Sequence, residues 1–396
     1  RKICQLKKRS IQIKVNQITS ITDGAGVTIG YNQVVHRNMF TNGGFEVAQR
    51  LSYESSGKSV SSTYYTGIDM FKTRVNSCTL LLTQSTTAPV GFNSSLKVDV
   101  TSADTSLASG VYNTIVGHIE GYDIARTAIG TSDAKTCTLS FYVRSNLTGT
   151  FTGSIGNSAN DRSYAFDYTI SSADTWERKT ITFACDLTGS YNKNQNLGLK
   201  VTWVLGVGSQ YLTGTTTTWQ AAEHMGSTNG QNVVANTSNE FYLTGVQLEL
   251  GTVATDFEHR SFCDEFRKCQ RYYQKSRMYG EPVTESGNSW NTSEGSMNQS
   301  KRNEFYDTHV FWPGGEMRAN PSLTFRGSNG TVNNHRFEIP GVNNTTLTLG
   351  ANTLTVNKRG YFSRLKPGSG TPNDSIYRSG SGNAFVRSNW EATAEY

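Results

Sequence analysis

The sequence predicts an all-β protein: a sandwich of short strands, one helix, and then a second β-rich region. Three observations lead there. Of 396 residues, 35% are hydrophobic and 17% charged, with 38 Gly, 19 Tyr and 18 Phe, a balance that favours strands and polar turns over charged helical surfaces. Alternating apolar and polar segments recur between polar turns, with no internal repeat. Only Phe262 to Lys275 carries a clear helical spacing. A chain of this length exceeds what one core usually serves, so more than one domain is expected.

The first segment, "RKICQLKKRS", holds Arg1, Lys2, Lys7, Lys8 and Arg9 with no acid among them. These account for most of the net charge of +6; the rest of the chain sets 32 basic against 31 acidic residues. A nearly neutral body argues against nucleic-acid binding, and the basic character belongs to a terminal arm suited to an acidic protein surface. In "IQIKVNQITSI" the residues Ile11, Ile13 and Val15 share one face of a strand that lacks its own core. Residues 1–35 therefore read as an attachment arm. No apolar h-region opens the chain and no apolar run reaches about 18 residues, so neither a secretion signal nor membrane insertion is expected.

From His36 the texture is that of a sandwich: "SLKVDVTS", "TCTLSFYVRSN", "SYAFDYTI", "ERKTITFAC", "LGLKVTWVLG" and "EFYLTGVQLEL" are strands. Leu139, Phe141 and Val143 fall on one face, as do Val201, Trp203 and Leu205, and both faces point to a core. The polar exit "GTVATDFEH" closes this domain at residue 258.

The helix follows, in a connecting segment 259–278. Ser261 is the N-cap and Asp264 stands three positions on, near the positive helix end. Phe262, Phe266, Cys269 and Tyr273 recur at steps of four, three and four, which draws an apolar stripe. A helix to Lys275 would be about 21 Å long, enough to bridge two domains; its stripe must dock on its own sandwich, on the domain that follows or on symmetry-related copies, and the expectation is that it fixes the junction between the two β-domains. Beyond it lie six of the seven prolines, and "SLTFRG", "HRFEIPG", "TLTLGANTLTVNKRGYF" and "NAFVRSNWEATAEY" supply the short strands of a C-terminal domain, 279–396.

Candidate chemistry is sparse. Cys4, Cys78, Cys137, Cys185, Cys263 and Cys269 show no CxxC pair, which argues for free thiols and against zinc. Glu46, Asp69, Glu120, Asp123 and Asp161 are the acids from which a glycosidase pair would be drawn, yet such a pair is defined by spatial separation and not by sequence. His36, His118, His224, His259, His309 and His335 are far apart and match no metalloprotease or hydrolase motif, so they read as ordinary hydrogen-bonded residues. Sugar rings stack on Trp and Tyr; Trp203 belongs to the core, whereas Trp290 and Trp312 lie in a Gly/Ser/Asn-rich stretch that favours exposure.

Several stretches together resemble one family. "NMFTNGGFEVAQR" (38–50), "YYTGIDMFK" (64–72), "IEGYDIA" (119–125), "TLSFYVRSNLTGT" (138–150), "DTWERKTITF" (174–183) and above all "FYLTGVQLELGTVATDFEHRSFCDEFRKCQRYYQK" (241–275) are similar, in order, to bacteriophage tail-fibre and related virion proteins. "EMRANPSLTF" and "NWEATAEY" resemble the closing segments of such fibres. The resemblance implies a jelly-roll domain like a carbohydrate-binding module at 36–258, the helix, and a variable β-rich end. It also implies a non-enzymatic homotrimer on the virion surface, at the tail or capsid, assembled in the bacterial host cytoplasm. Other virion proteins would hold the arm, and host-surface glycans would be the ligand; capsid decoration and polysaccharide depolymerase are the competing roles. No cofactor is expected beyond the structural calcium of such modules. The final strand reads Thr244-Gly245-Val246 where that pattern has an acid, which leaves Asn42 and Glu46 as the oxygen ligands.

Overall fold

A computed structural model describes residues 36–51, 56–276, 279–280, 299–302, 305–326, 334–338, 345–348, 354–365, 385–387 and 389–396; the predicted arm, residues 1–35, and Trp290 lie outside them. From Arg37 onward the chain forms one compact unit. Its first part is built from β1 (Lys58–Ile68), β2 (Phe71–Ser85), β3 (Ser95–Ser102), β4 (Tyr112–Glu120), the short α1 (Gly121–Ile124), β5 (Thr136–Ser145), β6 (Gly149–Gly156), β7 (Ser163–Ile170), β8 (Glu177–Ala184) and β9 (Leu197–Val207). Three two-residue strands follow, β10 (Leu212–Thr213), β11 (Trp219–Gln220) and β12 (Gly226–Ser227), and then β13 (Glu240–Leu250).

The strands form one curled antiparallel sheet in the order β11-β7-β6-β9-β4-β2-β3-β13-β5-β8, with β1 on the flank of β2. The long β2 makes the curl. Its start, Phe71 to Arg74, pairs with β4, while Thr79 to Ser85 pairs with β3, so a single strand passes from one wall of the sandwich to the other. Alternation then does what the sequence predicts: Leu139, Phe141, Val143, Val201, Trp203 and Leu205 are all fully buried between the walls. Trp203 packs against Phe141 at 5.5 Å and Phe71 at 6.3 Å between ring centroids. The all-β fold read from the sequence is the fold observed.

At the centre of β6 stands Gly153, where a Cβ would meet the Thr202 carbonyl oxygen at 2.4 Å and the Phe166 ring at 2.6 Å. Close approach of neighbouring backbone requires glycine here.

The helix, α2 (Phe262–Gln270), is shorter than the stretch to Lys275 that its spacing predicts. Tyr272 N bonds Cys269 O in a closing turn, and β14 (Tyr273–Lys275) then pairs with Glu391 to Thr393. A ladder of tertiary strand pairing thus overrides local helical preference. Cys269 is fully buried on the inner face, but Phe262 is 41% exposed, and buried Glu265 takes the inner position instead. Its carboxylate accepts Asn42 N at 2.6 Å and Arg260 Nη1 at 3.0 Å. Phe262 and Phe266 stack at 5.8 Å, and both meet the Tyr279 ring. Tyr273, the fourth residue of the predicted stripe, is buried from the strand and not from the helix.

Ser261 caps the helix as predicted, accepting Asp264 N at 3.2 Å while its hydroxyl donates to Asp264 Oδ2 at 2.6 Å. Ser261→Ala is expected to lower stability by about 1 kcal/mol in urea unfolding. An unchanged midpoint would show that tertiary pairing alone holds this helix end.

The remaining strands are β15 (Gln299–Arg302), β16 (Phe305–Phe311), β17 (Ser322–Arg326), β18 (Asn334–Glu338), β19 (Thr345–Thr348), β20 (Leu354–Asn357), β21 (Gly360–Leu365), β22 (Phe385–Arg387) and β23 (Asn389–Thr393). They form the sheets β15-β16-β21-β20 and β19-β18-β22, while β14-β23-β17 ties the segment after the helix to the last strand. Trp312, expected at the surface, is only 4% exposed. It packs on Trp390 at 5.2 Å and donates its indole N–H to Asn357 O, because the small core of this part has few other large side chains to fill it.

Candidate functional site

The outer face of the wall β2-β4-β9-β6-β7 carries the side chains that alternate with the core. One row across it reads Lys72, Val116, Thr202, Ser154 and Ala165 on five successive strands. Flanking it, Arg74 pairs with Thr114 and Thr114 with Val204, while His118 pairs with Lys200. The floor mixes small polar and apolar side chains, all of them buried, with long basic side chains on the β2, β4 and β9 side.

Two segments wall this face. Residues 222–227 cross β7 and β6: Ser163 Oγ donates to Ala222 O, His224 N donates back to Ser163 Oγ, and Ser227 N donates to Thr152 Oγ1. Met225 buries against Val204 and Val207, with Tyr112 and Tyr211 packed alongside. On the other side the chain beyond β23 lays the Tyr396 ring against His118 at 5.8 Å, with the Arg318 guanidinium 4.2 Å above the tyrosine ring. Lys72 Nζ donates to the main-chain oxygen of Tyr396. The result is a groove.

Within it, Lys200 reaches Glu223 Oε1 at 3.3 Å, and the Arg74 guanidinium lies 4.4 Å over the Tyr112 ring, which meets Tyr211 edge-on. Burial pushes the His118 imidazole down to about 3, and Lys72, Lys200 and Arg74 push the same way. His118 is therefore neutral at ordinary pH. Lys200 is held below the usual lysine range, first by burial and then by Arg74, with Glu223 opposing. Thr114 is 0% exposed, yet its hydroxyl has no hydrogen-bond partner, and His224 Nδ1 likewise has none. Burying a hydroxyl without a partner costs about 1–3 kcal/mol.

The acids singled out in the sequence do not gather here. Glu120 is buried and taken by Arg271, at 2.8 and 3.2 Å, and by the Tyr272 hydroxyl. Asp69 is buried beneath the segment after the helix and accepts Gln49 N and Nε2. Asp161 holds Asn157, Asp123 is exposed, and Glu46 accepts from Asn93.

The two calcium candidates do not fit an ion. Asn42 spends its amide on Val47 O and Asp69 O and its side-chain oxygen on Val47 N, while Glu46 turns to Asn93. Next to them the buried Lys275 Nζ donates to Gln49 O, placing a positive charge where a cation would need oxygens. Among the described residues no three His, Cys, Asp or Glu gather as metal ligands.

Of the predicted helix-junction residues, Cys269 and Tyr273 are buried in the junction and Phe262 and Phe266 form an outer aromatic pair. None of the groove cations was singled out by sequence. The available signal was the polar half of each alternating strand, "FKTR", "NTIVGH" and "LKVTWV", but it becomes a site only when the register aligns the strands.

No protein family and no curated protein matches the chain. Solved structures do: the enzymatically active domain of tailspike protein 4 of bacteriophage CBA120 matches over 54% of this chain and 22% of its own, at 13% identity and a TM-score of 0.26. The chain thus spans less than a quarter of that domain. TmCBM61 in complex with β-1,4-galactotriose matches over 54% of this chain and 99% of its own, at 7% identity and a TM-score of 0.27. The family 11 carbohydrate-binding module from Clostridium thermocellum in complex with a mixed-linked tetrasaccharide matches over 51% and 97%, at 12% identity and a TM-score of 0.25.

Proposed function

We propose that this chain is a non-enzymatic phage structural protein, a tail fibre at the virion surface, whose jelly-roll part binds host-surface glycans in the groove between residues 222–227 and Tyr396. One observation carries the binding reading: the Thr114 hydroxyl, fully buried in the floor of the groove, has no partner. Glycan hydroxyls donate and accept in the same small radius and would complete it. Half-buried Tyr112 and Tyr211 at one end supply the apolar faces on which sugar rings stack. The virion context, assembly in the host cytoplasm, and a homotrimer joined to other virion proteins through residues 1–35 belong to the same proposal, and their support is the resemblance of the quoted stretches to tail-fibre proteins. Three copies would multiply weak contacts by avidity.

Thr114→Val tests it. Replacing an unpartnered buried hydroxyl by a methyl group of the same shape is expected to leave stability unchanged or raised. Glycan affinity is expected to fall about tenfold, the worth of one hydrogen bond. Unchanged affinity, or no binding across a panel of bacterial surface glycans, would overturn the reading.

A further inference from the structure

Away from the groove, we propose that Cys137 and Cys185 are a disulfide-forming pair, a covalent cross-link that fastens the edge strand β8 to β5 once the chain meets a small-molecule disulfide. Their sulfurs lie 3.4 Å apart although the residues are 48 positions apart in sequence, and both side chains are buried in the core. The ladder explains the meeting. Cys137 stands opposite Phe183, and Cys185 N donates to Lys135 O one step past Ala184, so the two cysteines face the core from neighbouring strands, two positions apart along the register. Joining them at the disulfide length of about 2.05 Å asks each sulfur to move by less than about 1 Å. Among the described residues no third His, Cys, Asp or Glu gathers with them to make a metal site.

A covalent tie has most effect on β8. This strand ends the order of the curled sheet, so it pairs along one side only, with β5, and of its eight residues only Phe183 is buried. Segments with few buried contacts open at low free energy, and an edge strand offers its unpaired backbone to other chains. The end that carries Cys185 is tied by weaker bonds: the Trp219 indole N–H donates to Ala184 O at 2.8 Å, while Asp186 holds Arg162 at 2.6 Å and its carbonyl accepts Gly130 N at 2.7 Å. A bond from Cys185 to Cys137 fixes the same end to the strand on which β8 is built, and closes a loop through β6 and β7.

The chemistry balances with the two thiols and an external disulfide such as oxidised glutathione. Cys185 lies just past the strand end and emerges first; as a thiolate it attacks one glutathione sulfur, and one glutathione thiolate leaves. Cys137, as a thiolate, then attacks the Cys185 sulfur and expels the second. Two protein S–H bonds and the external S–S bond break, one protein S–S bond forms, and both protons pass through water to the two glutathione thiols. The contact with Cys185, and then burial, push the Cys137 thiol up. The step therefore waits for β8 to open, and runs faster in subdenaturing urea than in the closed fold.

The test incubates the full chain with oxidised glutathione in subdenaturing urea, removes both, and maps disulfides by mass spectrometry of unreduced peptides. The expected product links the Cys137 and Cys185 peptides with loss of two hydrogens. The linked chain is expected to melt at least about 5 °C above the reduced one, to show slower amide exchange along β8, and to lose both gains in dithiothreitol. Cys137→Ser and Cys185→Ala, treated in the same way, should gain neither. Cys137 and Cys185 still free after this treatment, or joined to other cysteines, would overturn the pair. A bond between them that leaves melting and β8 exchange unchanged would overturn the fastening. Oxidised and reduced forms of the wild-type chain carry the comparison, so it stands even where neither variant folds.

Discussion

Arg50→Ala is expected to lower stability by about 3–5 kcal/mol, the usual consequence of removing one partner of a buried ion pair. Arg50 pairs with Glu395 through two contacts, at 2.9 and 3.2 Å, and its guanidinium lies 3.5 Å over the Tyr273 ring. Thr66 donates to the same Glu395 carboxylate, and Tyr273 donates to Glu391. One side chain therefore joins three pieces: the loop before β1, the strand after the helix, and the chain just beyond β23. Truncation leaves the carboxylates of Glu395 and Asp69 in a poorly hydrated junction without their shared counterion. Arg144, which pairs with Asp174 at 2.9 Å where the aspartate side chain is 57% exposed, is the matched control. Arg144→Ala should cost no more than about 1 kcal/mol. Urea unfolding measures both, and amide exchange along β14 and β23 locates the damage. Equal effects of the two substitutions would mean that the junction is held by strand pairing and not by its charges.

That junction also answers why the one substantial helix among the described residues stands after β13. The helix is brief, and its task is to turn the chain so that Tyr272 and Tyr273 enter the space between the sandwich and the last strand. The sequence shows the capped start at Ser261 because an N-cap is local. It hides the end at Gln270 because nothing local stops the helix; the stop is the pairing of Tyr273 with Thr393, 120 positions along the chain. The same division holds for the strands. β3, β5, β7, β8, β9 and β13 are legible because each alternates an apolar with a polar residue over eight or more positions. β6, "GTFTGSIG", is not, since its glycines serve close approach to β9 and lower its apparent strand propensity. The groove is less legible still. Lys72, Arg74 and Lys200 each look like the solvated half of a strand, and only the register of β2, β4 and β9 shows that they share one face. Glu265 makes the opposite point: a carboxylate inside the stripe is invisible to hydrophobic periodicity, and it is buried because Asn42 and Arg260 satisfy it.

Two buried groups set opposing pH dependences, and separating them is the second large expected effect. Burial pushes the Asp69 carboxyl from 3.8 up to about 7, outweighing the pull of Arg50. A carboxyl raised in the fold favours folding while protonated, so its contribution is fully present below about pH 4 and is lost as pH rises through 7. At about 1.4 kcal/mol for each pH unit between the two values, that loss is about 4 kcal/mol. His118 runs the other way. Its folded value, pushed down to about 3 by burial and then by Lys72, Lys200 and Arg74, favours the neutral ring. Its contribution is present above the ordinary histidine value of about 6.5 and is lost as pH falls toward 3. Part of His118 reaches solvent, so screening makes this the smaller effect. Between pH 4 and 7 the two oppose each other, and wild-type stability should change only shallowly. Asp69→Asn removes one slope and should become more stable as pH rises across that window; His118→Gln removes the other and should become less stable, by up to about 4 kcal/mol. Carboxyls remote from both sites cancel in the comparison, including Asp186, whose burial is outweighed by Arg162 so that it is held below the usual range. The differences between urea-unfolding curves at pH 4, 5, 6 and 7 therefore isolate the two groups. Three parallel stability profiles would show that neither residue is desolvated as its position in the fold requires.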